Sequence, residues 1–543
     1  MSFRRAFICL AIALLASGGA GCARPAVPVG VHTWTEPGTL RIALTQMPNS
    51  LDPVLRTELL ELFLAQFVFD PLIATRADGT LEPKLARVVP SFANGGISLD
   101  GLTFTYHLRP RVRWHDGKPF SSADVRFTYL AYMNANNNVT TRTGYEDIAR
   151  VETPDALTVV VHLKRKSAPF LREFTTQGGV IPAHAFANPG TLNTSSFNAA
   201  PIGTGPFKLV TWRRGDRIEW VANDDYYLGK PKIRRVVGRF TSDENVAENQ
   251  LRTHDVDWLW GASTVAYRRL QDVPTLHAAL IHYNAFFGVM MNGARPPLGD
   301  RHVRQAVSAA LDRQLLARKV AFGAASVADA DLPSFLWTHD PSFQGQRFDP
   351  ALARRLLREA GYAPGSGGTL QKGGKPLALS MVFGTGSATA QAVAVQVQAM
   401  LRAVGIAVTL KAFDPNQLFA PYGSNGVLSG GNYDLNWSGF FQTDDPDDAT
   451  TFVCRNRPPH GFNYARYCNQ AFDAAQRLAT STYDNVGRKR AYATVERLIA
   501  TDAPWAFVWW PLLPQIYDTD FKGYEVRPGY QSLDPQTWSI GTR

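Results

Sequence analysis

The chain has 543 residues, 45% of them hydrophobic and 19% charged, which excludes a disordered or fibrous protein. Single cores stop growing near ~250–300 residues, so this length leaves room for two or three domains. The formal charge is +10, yet no dense Lys/Arg run is interleaved with aromatics, which excludes a nucleic-acid reader; the surplus suits solubility, and also an anionic membrane face or acidic ligands.

At the N-terminus Arg4 and Arg5 precede an apolar run at 6–16 and small residues up to Cys22. The run is shorter than the ~20 residues of a permanent span and suits a secretory signal; no later segment is apolar enough to cross a bilayer. Gly19-Ala20-Gly21-Cys22 resembles the lipobox of bacterial lipoproteins, with Gly19 where Leu is usual. Lipid anchoring on Cys22 and plain cleavage close by both stay open. Of four cysteines, Cys9 would leave with the signal and Cys22 would carry the lipid, which leaves Cys454 and Cys468. In an oxidising compartment that pair is most simply a disulfide. A metal site would use His460 between them but lacks an obvious fourth ligand.

A Pro/Gly-rich linker at 23–38 leads to a predicted strand at 40–44, a loop with Leu51-Asp52-Pro53, and an apolar helix at 58–69. Phe104, Tyr106 and Leu108 alternate as in a half-buried strand. Asp116-Gly117 is a turn, and Ser121 with Asp124 forms a capping box for a helix to about Asn134. Strands follow at 158–163 and in a hairpin, 207–212 and 217–222, around Gly215-Asp216. Gly203, Gly205 and Pro206 before it permit a tight backbone approach; with no Lys-Ser/Thr and no helix following, they are not a phosphate cradle.

Buried strands are expected at 256–260 and 286–292. Val303, Val307, Leu311 and Leu315 mark one long amphipathic helix, whose Arg301, Arg304 and Arg313 read as a solvated face pairing with Asp312. Asp349-Pro350 caps a helix ending at Gly361; a strand at 377–383, a helix ending at Gly405 and a strand at 407–410 make a βαβ rhythm. A helix at 484–500 and a strand at 506–510 close the chain. The class is α/β with mixed sheets.

Chemistry is sparse. The nearest nucleophile elbow, Tyr422-Gly423-Ser424-Asn425-Gly426, lacks its first glycine, and no His-Glu-x-x-His occurs. Asp444, Asp445, Asp447 and Asp448 fit no EF-hand spacing; Asp447-Asp448 before Ala449 suits helix capping better. No catalysis, cofactor or metal is expected.

Several strings are more specific than their patterns. HLRPRVRWHDGKPFSSADVRF at 107–127, PIGTGPFKLVTWRRGDRIEWVANDDYY at 201–227, PPLGDRHVRQAVSAALDR at 296–313 and FDPALARRLLREAGY at 348–362 resemble the oligopeptide/dipeptide-type solute-binding proteins of ABC importers, family 5. The resemblance implies a periplasmic-binding-protein-like fold with two lobes and a hinge (class II, the large three-domain variety). It assigns 1–22 to the signal, 23–38 to a linker, and 39–81, 200–283 and 506–543 to domain I. Domain II would be 82–199 and domain III 284–505, with hinge strands near Tyr283 and Trp505.

It further implies an extracytoplasmic or periplasmic, non-enzymatic monomer that captures a peptide or other small polar solute and delivers it to membrane permease subunits. A receptor module without a permease is the alternative, and a secreted hydrolase a more distant one. In the family, residues just after the LDP element line the cleft, which maps to Thr57, Glu58 and Leu59; Glu58 also fits as a solvated acid in a helix's first turn. Phe287 and Met290 are further cleft candidates. YDLNWSGFFQTDDPDD at 433–448 resembles the family segment in which an Asp three positions after Trp pairs with the ligand's α-amino group. Counting from Trp437 past Gly439 puts Phe440 there, and counting back from Asp445-Pro446 puts Gln442 there. Neither is an acid, although Asp444 is close. Such a bond contributes roughly 1.5–3 kcal/mol, so its loss changes specificity and leaves a modified peptide or another small solute open.

Overall fold

In a computed structural model the described residues are 32–76, 80–142, 144–173, 179–441, 445–525 and 534–541. The expected signal, Cys22, Gln442 and Asp444 lie outside them.

The first strand, Thr39–Leu44, is apolar on both faces, with Leu40, Ile42, Ala43 and Leu44 fully buried. It sits in parallel between Trp258–Trp260 and Arg235–Phe240. The expected strand at 256–260 is shorter because Asp257 turns its carboxylate onto the Arg41 guanidinium and backbone N–H. The hairpin Phe207–Arg213 and Arg217–Ala222 extends this sheet. Its approach is as tight as the glycines suggested: Gly205 N–H donates to Val68 O at 2.8 Å, and a Cβ on Gly203 would lie 1.7 Å from that oxygen.

A second half-sheet holds the expected βαβ unit. Ala378–Gly384 and Ala407–Phe413 are parallel and joined by the helix Ala388–Ala403. Leu435–Phe441 and Ala285–Met291 continue the sheet. The strand Trp505–Asp518 belongs to both halves. Among the described residues the whole is a mixed sheet of 12 strands, flanked by helices in an α/β arrangement.

Apolar packing divides the chain. One core joins residues from Leu40 to Trp260 with Tyr517 to Ile540, and a satellite core lies beside it. Two other cores are built from residues between Phe286 and Trp510. We call residues 32–283 with 512–541 the first lobe, and 284–511 the second. The expected domains I and II share one core within the first lobe. Trp505 to Trp510, assigned from sequence mostly to domain I, pack instead in the second lobe's cores, because they pair with Ala285–Met291.

The expected long helix is two. Arg301–Ala309 stops, and Asp312 accepts from Leu315 N–H at 2.9 Å to start Arg313–Lys319. Arg313 does not face solvent or pair with Asp312. Its buried guanidinium donates to the carbonyls of Phe507, Ser308 and Leu311 at 2.6–3.2 Å, which satisfies acceptors that the break releases. Arg304 likewise turns inward, onto the carbonyls of Asp502 and Leu298, both at 2.8 Å. Arg301 stays exposed.

Candidate functional site: an aromatic wall beside the hinge

Two strands cross between the lobes side by side. Leu276–His282 runs antiparallel to Leu512–Asp518 in the first lobe, and after Tyr283-Asn284 the strand Ala285–Met291 pairs with Trp505–Trp509 in the second. Tyr283 N–H donates to Pro511 O at the crossing, so the second crossing lies at Pro511-Leu512, several residues beyond the expected Trp505.

Beside this hinge the second lobe presents an aromatic wall. The register pairs Phe287 with Gly439 and Ala285 with Phe441. A Cβ on Gly439 would lie 2.7 Å from the Phe287 ring, so this glycine lets the ring lie flat against the strand. The Phe441 ring is 55% exposed, with centroid distances of 5.6 Å to Tyr283 and 5.9 Å to Phe287. Phe441 was missed from sequence. Counting by two from Trp437 through Gly439 puts it on the Phe287 face, whereas Phe440 is on the other face, half-buried 6.0 Å from Phe286.

Two sequence candidates are buried. Met290 points into the second lobe's core, where Phe286 and Trp505 pack. Trp437 is on the same face as Phe287, 6.0 Å away, but is buried edge-on against Trp509 at 4.9 Å at the inner end of the wall. The structure therefore corrects both from ligand contact to core.

In the first lobe Thr57, Glu58 and Leu59 are exposed at the start of the helix Leu59–Val68. Glu61, buried one turn on, holds them in place by accepting from the N–H groups of Asn49, Ser50, Thr57 and Glu58. Asp52 is also buried and accepts from Val54 N–H at 2.8 Å; burial pushes its carboxyl up to about 7.

The acids after the aromatic wall are structural. Asp445 is buried and held by Arg488 Nη2 at 2.7 and 2.8 Å and by Tyr492 Oη at 3.2 Å. Asp447 caps the turn Ala449–Phe452 by accepting from Ala449 N–H at 2.9 Å. Asp448 makes no side-chain cap; it is fully buried against Asp331, and burial raises the affinity of both carboxyls for protons. No described acid of this cluster is therefore open to a ligand's ammonium group.

Cys454 and Cys468 form the expected disulfide, which removes the metal reading with His460. Among the described residues one other group has metal-ligand geometry, His32, Asp518 and Asp520 in the first lobe. Its carboxylates already accept from protein donors: Asp520 from Thr35 and His32, and Asp518 from Trp34, each within 3.3 Å, with His254 Nδ1 3.0 Å from Asp518. The group is satisfied as a clasp for the N-terminal segment.

Residues 82–458 match the family described as bacterial extracellular solute-binding proteins, family 5. Protein XP55 of Streptomyces lividans is 30% identical over 443 residues, covering 81% of this chain and 78% of the relative. Di/tripeptide-binding protein 2 of Pseudomonas aeruginosa is 28% identical, covering 91% and 93%. Among solved structures, the ABC transporter substrate-binding protein CtaP from Listeria monocytogenes superposes with a TM-score of 0.80 at 25% identity, covering 93% of this chain and 100% of that one. With two lobes, a paired-strand hinge and this match over most of its length, the chain belongs to the family 5 bacterial extracellular solute-binding proteins.

Proposed function

We propose that the protein captures a peptide or peptide-like small solute between its lobes and delivers it to the permease subunits of an ABC importer. Two lobes with separate cores joined by two adjacent strand crossings carry this reading, since such a hinge lets rigid bodies close on a guest. Closure excludes water and strengthens each polar contact, and only the liganded closed form suits the permease. The peptide class follows the printed specificity of the Pseudomonas relative.

The contact residues we assign are Thr57, Glu58 and Leu59 from the first lobe, and Phe287, Gly439 and Phe441 from the second, with Gln442 and Asp444 next in the chain; Phe440, on the other face, packs on the core. The commitment of Asp445 to Arg488 favours a guest anchored by an apolar group and main-chain hydrogen bonds over one anchored by its ammonium. The protein acts as a monomer outside the cytoplasmic membrane after cleavage just before Cys22, held there by a lipid on that cysteine. Residues 32–283 and 512–541 form the lobe containing domains I and II, and 284–511 form domain III.

Mass spectrometry of small molecules released from purified, denatured protein tests the solute class. A stoichiometric peptide or peptide-like compound is expected; a sugar or an inorganic complex in that fraction contradicts the assignment.

A further inference from the structure

Across from the hinge the two lobes touch again, through the loop between the helices Gln470–Ser481 and Asn485–Asp502. Tyr483, on this loop, reaches into the first lobe. Its ring lies 5.1 Å from Phe92 and 6.3 Å from Phe104 between centroids. Its Oη donates to Gly101 O at 2.7 Å and approaches Ser167 O at 3.3 Å. Beside it Ala168 N–H donates to Thr480 O at 2.7 Å.

Three features separate this contact from ordinary surface packing. First, Tyr483 is the one hydrophobic side chain of 284–511 found packed on the first lobe's main core among the described residues. Second, the socket is shaped for it: Gly101 has φ of +70°, and a Cβ there would lie 2.6 Å from Tyr483 Cε2. Only glycine combines that backbone with room for the ring. Third, Tyr483 sits at the end of a lever. The helix Asn485–Asp502 has 18 residues and its far end leads through Ala503-Pro504 into the hinge strand at Trp505. At 1.5 Å per residue it spans about 27 Å, so a rotation of about 10° at the hinge would carry the ring about 5 Å out of its socket.

We propose that Tyr483 is the latch of lobe closure, a positioning residue whose docking into the Phe92–Gly101–Ser167 socket sets how long the lobes stay shut on a solute. This rests on the two-lobed capture reading and adds to it the residue that governs release. The phenol supplies both halves of the latch: an apolar ring that packs on Phe104, and a hydroxyl that serves carbonyls otherwise left to water.

The test uses the protein as purified, with the small molecule it carries still bound. In the full-length protein, an Ala168→Cys/Thr480→Cys pair places two thiols at the backbone contact beside the latch. We expect it to cross-link under mild oxidation, with the native Cys454–Cys468 bond in place. Adding Tyr483→Ala should slow cross-linking about tenfold or more, and Tyr483→Phe, which keeps the ring, only about twofold to tenfold, the range for one or two lost hydrogen bonds. Melting temperatures read without oxidant should move little, because Tyr483 belongs to neither of its own lobe's cores and only covers the edge of the first lobe's; a residue of merely structural importance would move the melting temperature and leave the rate. Failure of the parent pair to cross-link, or equal rates with and without Tyr483→Ala, overturns the latch. Neither result touches the capture reading, which stands or falls on the released small molecule.

Discussion

At the scale of single residues, the second lobe concentrates acids where water does not reach. Glu496 is fully buried beside His339 Nδ1 at 3.1 Å, and burial first, then the nearby Asp331, pushes its carboxyl up to about 9 from an ordinary 4.5. A raised carboxyl pKa favours the protonated fold, so its contribution is complete below about pH 4.5 and is lost as pH climbs toward about 9. Thermal unfolding followed from pH 5 to 9 should therefore show falling stability, and Glu496→Gln, which stays neutral, should flatten that fall; an identical slope in the variant would contradict the assignment. Phe441 makes the opposite kind of prediction. With its ring 55% exposed, Phe441→Ala should leave the melting temperature nearly unchanged while weakening the released solute's affinity by tenfold or more, read by calorimetry. None of this was visible from the acidic run at 444–448. Spacing identified Asp447 as a cap, but that Asp445 is spent on Arg488, 43 positions away, is settled by packing.

At the scale of elements, local chemistry was legible and remote choices were not. The capping box of Ser121 and Asp124, the Asp349-Pro350 start and the hairpin around Gly215 all appear where the residues put them. Each needs information from within a few residues. The break after Arg301–Ala309 could not be read the same way, because Arg313 turns inward to a carbonyl at Phe507, 194 residues on. The lobe boundary was misplaced because Trp505–Asp518 is one continuous 14-residue strand; Pro511 stands where it changes lobe, but a proline inside a strand does not by itself say which core each half joins. Gly203 supplies the prediction here. Gly203→Ala would drive a Cβ against Val68 O at the end of Leu59–Val68, and should destabilise the first lobe by about 3 kcal/mol in urea unfolding. A change under about 0.5 kcal/mol, typical of surface sites, would show that the contact yields freely.

At the scale of the whole molecule, the family strings disclosed the two-lobed architecture, while the cross-lobe contacts join residues that no string connects. Tyr483 and its acceptor Gly101 are 382 positions apart, and neither lies in a string that carries the resemblance. The wall was legible in part: Phe287 and Gly439 lie on it, whereas alternation puts Phe440 and Met290 on the opposite face with Phe286, and Trp437, though on the wall's face, is buried against Trp509. The account as a whole requires that a guest draws the lobes together about the crossings at Tyr283 and Pro511. Small-angle scattering tests this most directly, on protein stripped by denaturation and refolding and then given back the small-molecule fraction it released. The radius of gyration should fall as that fraction is added and saturate at one equivalent; a radius unchanged at saturation would contradict the clamp.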